Sequence, residues 1–413
     1  MAVSKAHDRC RICRSGRLVR YLDIGVTPLA NSYLRADQLN TPEIAVELAL
    51  QLCMDCGLSQ LTRVVDPDLM FKNYLYVSST SATFRDHCSQ LAKTAIVAAR
   101  CRPGDWILDI ASNDGFLLSQ FQTHGMNVFG VDPAANLAAE ASNRGIPTLA
   151  TYWSSAVARE SLNLFARPKI ITATNVLGHV DDAHEFVRAV EIALAPSGIF
   201  IVEVPYLVDF IEKNEFDTAY HEHVSYLAIH PLRELARAHE LTVFDVEYFP
   251  QLHGGTIRVY FCRLGDREAG PRVDAFLERE QAFGITEIDR YRDFSDRVHQ
   301  NMTALAKLIA ELKARGSRIW AYGASAKGNT LMNFLGLTAE TIPVVLDDNS
   351  KKWGLYTPGA HMRIASVDEL APAAVDHLLL LAWNFERELV ERSRGAGYAG
   401  RFIRPAPEVA VFG

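Results

Sequence analysis

Between residues 106 and 204, short apolar runs alternate with stretches whose apolar positions recur every three or four residues. WILDIA (106–111), NVFGVD (127–132), KIITATNV (169–176) and GIFIVEV (198–204) have the length and uniform apolarity of buried strands. Segments such as NLAAEASNRG between them have helical spacing. The alternation predicts an α/β unit, a parallel sheet covered by helices on both faces. A charged helical stretch, roughly residues 271–315, opens the last part of the chain. RIWAYGA (318–324), IPVVLDD (342–348) and HLLLLAW (377–383) then read as strands, each followed by a helix pattern. They predict a second, smaller α/β unit. The expected division is therefore residues 1–75, 76–262 and 263–413.

Composition adds bounds. A chain of 413 residues suggests two or three domains, and 49% hydrophobic with 22% charged residues is ordinary globular usage. The net charge is -7 and no basic block occurs, so no nucleic-acid partner is expected. No secretory signal is read in MAVSKAHDRC, and no apolar run reaches the roughly 18 residues a membrane span needs. We expect a cytoplasmic protein with no membrane partner. The oligomeric state is open, with a monomer favoured.

Seven cysteines occur, and four form the pairs Cys10-x-x-Cys13 and Cys53-x-x-Cys56. Such turns present two thiolates each to one tetrahedral ion, and Gly57 permits the positive φ a zinc knuckle often uses. Four thiolates leave no open coordination position, so the expected Zn2+ is structural. It is expected to replace a core that this short region lacks. Redox pairs or free thiols are the alternatives. Cys88, Cys101 and Cys262 read as small buried hydrophobes.

Asp109-Ile-Ala111-Ser112-Asn113-Asp114-Gly115 follows a strand and opens a helix, and Asp132-Pro133 ends the next strand. An acidic residue there can accept from both ribose hydroxyls of a nucleoside cofactor. A nicotinamide dinucleotide needs glycines where its pyrophosphate meets the first turn, and Asp114 would repel it. S-adenosyl-L-methionine carries no phosphate and is cationic, which suits these acidic and amide side chains. Asn175 and His179, after a later strand, should reach the same cleft, as should the dense cluster Glu215-Phe-Asp-Thr-Ala-Tyr220-His221-Glu222-His223. His-Glu-His is too tight for helical zinc-protease geometry. General acid–base chemistry, with a histidine tuned by a neighbouring carboxylate and a tyrosine steadying an oxyanion, fits better. A solvated turn is the bland alternative.

In the last unit, Ser325-Ala-Lys327-Gly328-Asn329 opens a helix after a strand, which suits a diphosphate. Asn349, Lys351, Tyr356, Trp383 and Asn384 follow later strands at the same edge and are candidates for base, ribose or phosphate contacts. Use of the unit for packing alone is the alternative.

CRIC…CMDCGL, VTPLANSYL, YLYVSSTS, LDIASNDGF, NVLGHV, TAYHEHVSYL, GGTIRVY, AYGASAKGNTLMN, VVLDDNSKKWGLYTPG and LAWNF follow one another along nearly the whole chain. In these pieces it resembles the sugar C-methyltransferases that act on dTDP-linked 4-keto deoxysugars, of the tetronitrose and kijanose C-3-methyltransferase type. The resemblance implies a class I methyltransferase Rossmann-like core between an N-terminal zinc-binding domain and a C-terminal second Rossmann-like domain. It implies a nucleotide-linked keto-sugar as partner and an enediolate intermediate. His223 matches the family's base, with Glu222 and Tyr220 beside it, and His179 and Tyr74 or Tyr76 lining the same site. Asn31 and His221 are expected on the substrate. An O- or N-methyltransferase, a nicotinamide-dependent keto-sugar oxidoreductase and a non-enzymatic zinc-containing binding protein are the rival readings.

Overall fold

The computed structural model describes residues 3–72, 82–252, 254–370 and 373–413. Tyr74 and Tyr76 lie outside them. The chain opens with β1 (Ser4–Ala6), β2 (Leu18–Pro28), β3 (Ala45–Cys53), β4 (Ser59–Leu61) and β5 (Arg63–Val65), then the single turn α1 (Asp68–Phe71). β1 pairs with β5, while β2, β3 and β4 form an antiparallel sheet.

The central unit runs α2 (Ala82–Ala98), β6 (Trp106–Ile110), α3 (Phe116–Gln122), β7 (Asn127–Val131), α4 (Ala135–Asn143), β8 (Thr148–Leu149), α5 (Ser155–Leu164), β9 (Ile170–Thr174), α6 (Ala183–Ala193), β10 (Ile199–Pro205) and α7 (Leu207–Glu212). It continues with β11 (Ser225–Tyr226), α8 (Ile229–Arg237), β12 (Leu241–Phe249) and β13 (Thr256–Arg263). Its sheet has the order β12-β13-β10-β9-β6-β7-β8, parallel except for β13, which is antiparallel to both neighbours. The apolar runs are continuous because both faces are covered. Leu108, Phe129, Ile171, Phe200 and Val202 point into one core; Ile107, Val128, Ile170, Ile199 and Ile201 point into the other, against Leu91 and Ala95 of α2.

α9 (Pro271–Phe283) and α10 (Ile288–Ala314) split the predicted charged helix at Gly284, whose φ is 80°. β14 (Ile319–Tyr322), α11 (Ala326–Phe334), β15 (Val344–Leu346), β16 (Arg363–Ala365), β17 (His377–Leu380), α12 (Glu386–Gly395), β18 (Arg401–Arg404) and β19 (Ala410–Phe412) follow. The C-terminal sheet has the order β16-β15-β14-β17-β18-β19.

Two expectations need correction. The helix expected after IPVVLDD is absent. Only a 3-10 turn, Ser350–Lys352, forms there, and Tyr356 then bridges Leu34 and Arg363. The backbone groups a helix would satisfy internally are instead paired elsewhere in the chain: Tyr356 with Leu34 of the N-terminal region, Gly354 and Leu355 with Ile364, and Thr357 with Met362. That region does not lack a core either. Tyr21, Leu22, Leu48 and Leu50 share one apolar cluster with Tyr291, Phe294 and Val298 of α10. The Tyr21 and Tyr291 ring centres are 5.0 Å apart. Its sheet is completed by β11, which pairs with β4 and lies just beyond the Tyr-His-Glu-His cluster. The N-terminal sheet and that cluster are thus one structural piece. Among the described residues no helix is long and apolar enough to cross a membrane.

Candidate active site

β6 ends at Ile110, and the chain reaches α3 through Ala111 (φ 60°), Asn113 (φ 52°) and Gly115 (φ 77°). Two non-glycine residues in the left-handed region carry strain of about 1 kcal/mol or more each, which survives only where the surroundings over-determine it. They do so here. The Ala111 amide donates to the Val131 carbonyl (2.7 Å), and the Asn113 amide to Asp132 Oδ2 (2.8 Å). Asp132 Oδ1 accepts from the Ala134 amide (2.8 Å), so one carboxylate joins the turn to the start of α4. Each of its oxygens keeps a second lone pair. Beside it Pro133 is half-buried.

Asp109 is buried and accepts from Thr172 Oγ1 (2.6 Å); burial pushes its carboxyl up to about 7. Asp114 is also buried, but its Oδ2 accepts from Arg144 (3.0 Å), so its charge is balanced within the protein. The Ser112 hydroxyl is packed against β7: a Cβ on Gly130 would lie 2.3 Å from its Oγ. Gly130 is therefore part of this turn's geometry. Its only signal in the sequence is a glycine inside a strand. Asn175 (φ 54°) stands at the end of β9, its amide on the Glu203 carbonyl (2.8 Å).

The second cluster is set by a 3-10 turn, Phe216–Thr218, between α7 and β11. His223 Nδ1 lies 2.8 Å from the Thr218 carbonyl, which can only accept, so Nδ1 carries the proton. Nε2 then accepts from the Tyr220 hydroxyl at 2.7 Å. The Thr218 carbonyl fixes this tautomer. Glu222 Oε1 accepts from Asn31 Nδ2 (2.7 Å), which reaches in from the N-terminal region. His179 stands edge-on to His223 with ring centres 4.9 Å apart, and burial lowers its pKa to about 4, so it is neutral near pH 7. His221 turns the other way, donating from Nε2 to the Val46 carbonyl of β3 (3.1 Å). The fold thus brings together His179, Tyr220, Glu222, His223 and Asn31, and leaves His221 in the N-terminal interface.

The C-terminal candidates divide similarly. Ser325 Oγ caps α11 by accepting from the Gly328 amide (3.1 Å). Gly328 lets α11 approach Leu381, where a Cβ would meet Leu381 Cβ at 2.8 Å. Lys327 Nζ lies 3.6 Å from Asp217 and 4.4 Å from the Trp383 ring centre, and the Trp383 indole donates to Asp217 Oδ2 (2.7 Å). Asn329 is buried and donates to the Ala30 carbonyl (2.6 Å). Asn349 caps its 3-10 turn by accepting from the exposed Lys351's amide. The next lysine is the engaged one: Lys352 Nζ donates to the Ala324 carbonyl (2.6 Å) and pairs with Asp347 (3.3 Å). Asn384 keeps a buried Oδ1 without a partner among the described residues. Thr218 and Lys352 were not singled out as candidates in the sequence: Thr218 acts through a backbone carbonyl, which no side-chain pattern reports, and Lys352 is an ordinary polar residue there.

The four knuckle cysteines converge. Their sulfurs all lie within 4.8 Å of one another, with Cys10–Cys56 at 3.5 Å and Cys13–Cys53 at 3.4 Å. A tetrahedral ion with Zn–S bonds near 2.3 Å needs sulfurs somewhat under 4 Å apart, so the set fits zinc. Gly57 has the expected positive φ, 73°. Between the first pair, Arg11 is buried and its guanidinium meets Asp181 (3.3 Å), two residues beyond His179.

Residues 251–407 match the family described as C-methyltransferase C-terminal domain, 82–246 a methyltransferase domain and 10–71 a zinc binding domain. The chain is 34% identical over 406 residues to the C-methyltransferase NovU of Streptomyces niveus, covering 98% of this chain and 96% of that one. The chain belongs to the C-methyltransferase family. It is an S-adenosylmethionine-dependent methyltransferase with the class I Rossmann-like core and a zinc-binding N-terminal domain. Two buried carboxylates at adjoining strand ends, Asp109 and Asp132, fit that cationic cofactor. Among solved structures, a methyltransferase from Clostridium acetobutylicum is 18% identical, covering 44% of this chain and 92% of its own, with a TM-score of 0.36. Magnesium protoporphyrin IX methyltransferase from Synechocystis is 12% identical, covering 43% and 79%, with a TM-score of 0.34.

Proposed function

We propose that this C-methyltransferase acts on a nucleotide-linked 4-keto-deoxysugar, methylating the carbon beside the ketone, C3, with His223 as the base. The observation that carries the reading is the fixed tautomer of His223, whose Nε2 lone pair is aimed into the cluster by the Nδ1–H···O=C bond to Thr218. A ketone acidifies its neighbouring C–H, and a neutral imidazole is matched to that proton near pH 7. Substrate would take the Tyr220 hydroxyl as its own donor, freeing Nε2 to accept the proton. Tyr220 and neutral His179 would then stabilise the enolate oxygen. Glu222, held by Asn31, adds negative charge that favours the imidazolium. S-adenosylmethionine supplies the electrophilic methyl group when bound. Asp132 and Asp109 would hold its ribose and its cationic end, and Asn175 would border the cleft. The substrate's diphosphate would meet the start of α11, at Ser325 and Lys327. In this reading residues 1–75 carry zinc, 76–262 the methyl donor and 263–413 the nucleotide.

His223→Asn tests it. Exchange of the C3 proton with solvent and methyl transfer should both fall by roughly 100-fold or more, with cofactor affinity unchanged. Retained exchange would remove His223 from the role.

A further inference from the structure

The two residues flanking Thr218 are both held by the C-terminal unit. On one side Asp217 is fully buried, with its Oδ2 on the Trp383 indole N–H (2.7 Å) and its Oδ1 3.6 Å from the Lys327 ammonium, which itself lies over the Trp383 ring. On the other, the Ala219 carbonyl accepts from Thr330 Oγ1 of α11 at 3.3 Å. The peptide between these anchors contains the Thr218 carbonyl, and that carbonyl accepts from His223 Nδ1 and from the Tyr226 hydroxyl. A carbonyl's direction is set by its peptide plane, which here has attachment points on either side that belong to a different unit of the molecule. Burying an aspartate is costly unless it is paired, and the partners that Asp217 finds on other elements are Trp383 and Lys327.

We infer that Asp217, clamped by Trp383 and Lys327, is a positioning residue for the methyl-transfer reaction. It sets the Thr218 carbonyl that holds His223 in its Nδ1–H tautomer, so the base is competent only when the C-terminal unit is docked. The inference rests on the proposed role of His223. It gives the C-terminal unit a part in the chemistry separate from holding a nucleotide. The same lysine stands where an incoming diphosphate is proposed to lie, so substrate and base orientation share one contact.

Trp383→Phe tests it, since the change deletes the indole donor while keeping an aromatic ring in a half-buried place. The expected result is a kcat lowered roughly 10-fold, with KM for the nucleotide-sugar and cofactor affinity within about 2-fold of the parent. Nitrogen-15 NMR of the histidine rings should show the His223 signal moving from a pure Nδ1–H form toward a mixture, while His221, bonded to Val46, stays unchanged. An unchanged kcat with an unshifted His223 signal overturns the inference. A raised KM at constant kcat also overturns it, by making Trp383 a substrate contact. His223→Asn assayed in parallel separates the two failures. If it abolishes turnover while Trp383→Phe leaves kcat and the signal alone, only the clamp is wrong; if it retains turnover, the base assignment itself has failed.

Discussion

The two strand–turn–helix units of this protein begin alike and finish differently. At residues 109–115 the turn is built from strained non-glycine residues held by hydrogen bonds to Val131 and Asp132. Its carboxylates Asp109 and Asp132 are not ion-paired among the described residues, so their charge is available to a cation. At residues 322–329 the turn is built from glycine. Gly323 has φ 100°, and a Cβ there would lie 2.7 Å from Ala382 Cβ. Its one cation, Lys327, is already satisfied by Asp217 and Trp383 of the surrounding units. The first turn keeps carboxylates that no cation of the described residues pairs, whereas the second shares its lysine with a neighbouring unit. A glycine-containing βα turn therefore says little about binding until the state of its charges is known.

The contrast can be broken or sharpened experimentally. The largest effect is expected from Asp132→Ala, which removes the proposed acceptor for ribose and releases the Asn113 and Ala134 amides together. Cofactor affinity measured by calorimetry should fall roughly 100-fold, since hydrogen bonds to a charged group each contribute about 1.5–3 kcal/mol. A drop under 3-fold would place the cofactor elsewhere. Next, Gly323→Ala should lower stability by about 2 kcal/mol or more in denaturant titration, because it combines a strained φ with overpacking, while leaving cofactor affinity intact. Lost cofactor binding at full stability would show that the second turn, not the first, serves the cofactor.

The smallest effect is a pH dependence. Burial raises the Asp109 pKa to about 7, so the folded protein holds a proton there between about pH 4 and 7 that the unfolded chain has released. The stability associated with that proton is complete below the unfolded value and is lost as pH rises through 7. The ionised form is the one that attracts a cation. Cofactor affinity should therefore rise a few-fold from pH 6 to pH 8, and Asp109→Asn should flatten that profile. An unchanged profile in the variant would exclude Asp109 as its source.

Much of this was legible in the chain. The four buried parallel strands, the acidic ends of β6 and β7 and the paired cysteines are local patterns. Each follows from burial on both sheet faces or from ligand spacing within a short turn. The antiparallel strand β13, which pairs with β10, and the missing helix after β15 were not legible, because partners far away in the chain decided them. The same division runs through the site. Residue types alone assembled a list that included His179, Tyr220, Glu222 and His223. They could not tell His221, which faces Val46, from His223, which faces the cluster, because the turn at 221–222 sends the two rings to different partners. Nor could they show that Asn31 would hold Glu222 or that Trp383 would hold Asp217. Sequence by itself determined which chemistry was present, since side-chain identity and short-range spacing are covalent facts. Tertiary structure alone decided which groups are charged, which nitrogen bears a proton and which unit steadies which. Those depend on desolvation and on hydrogen bonds between residues hundreds of positions apart.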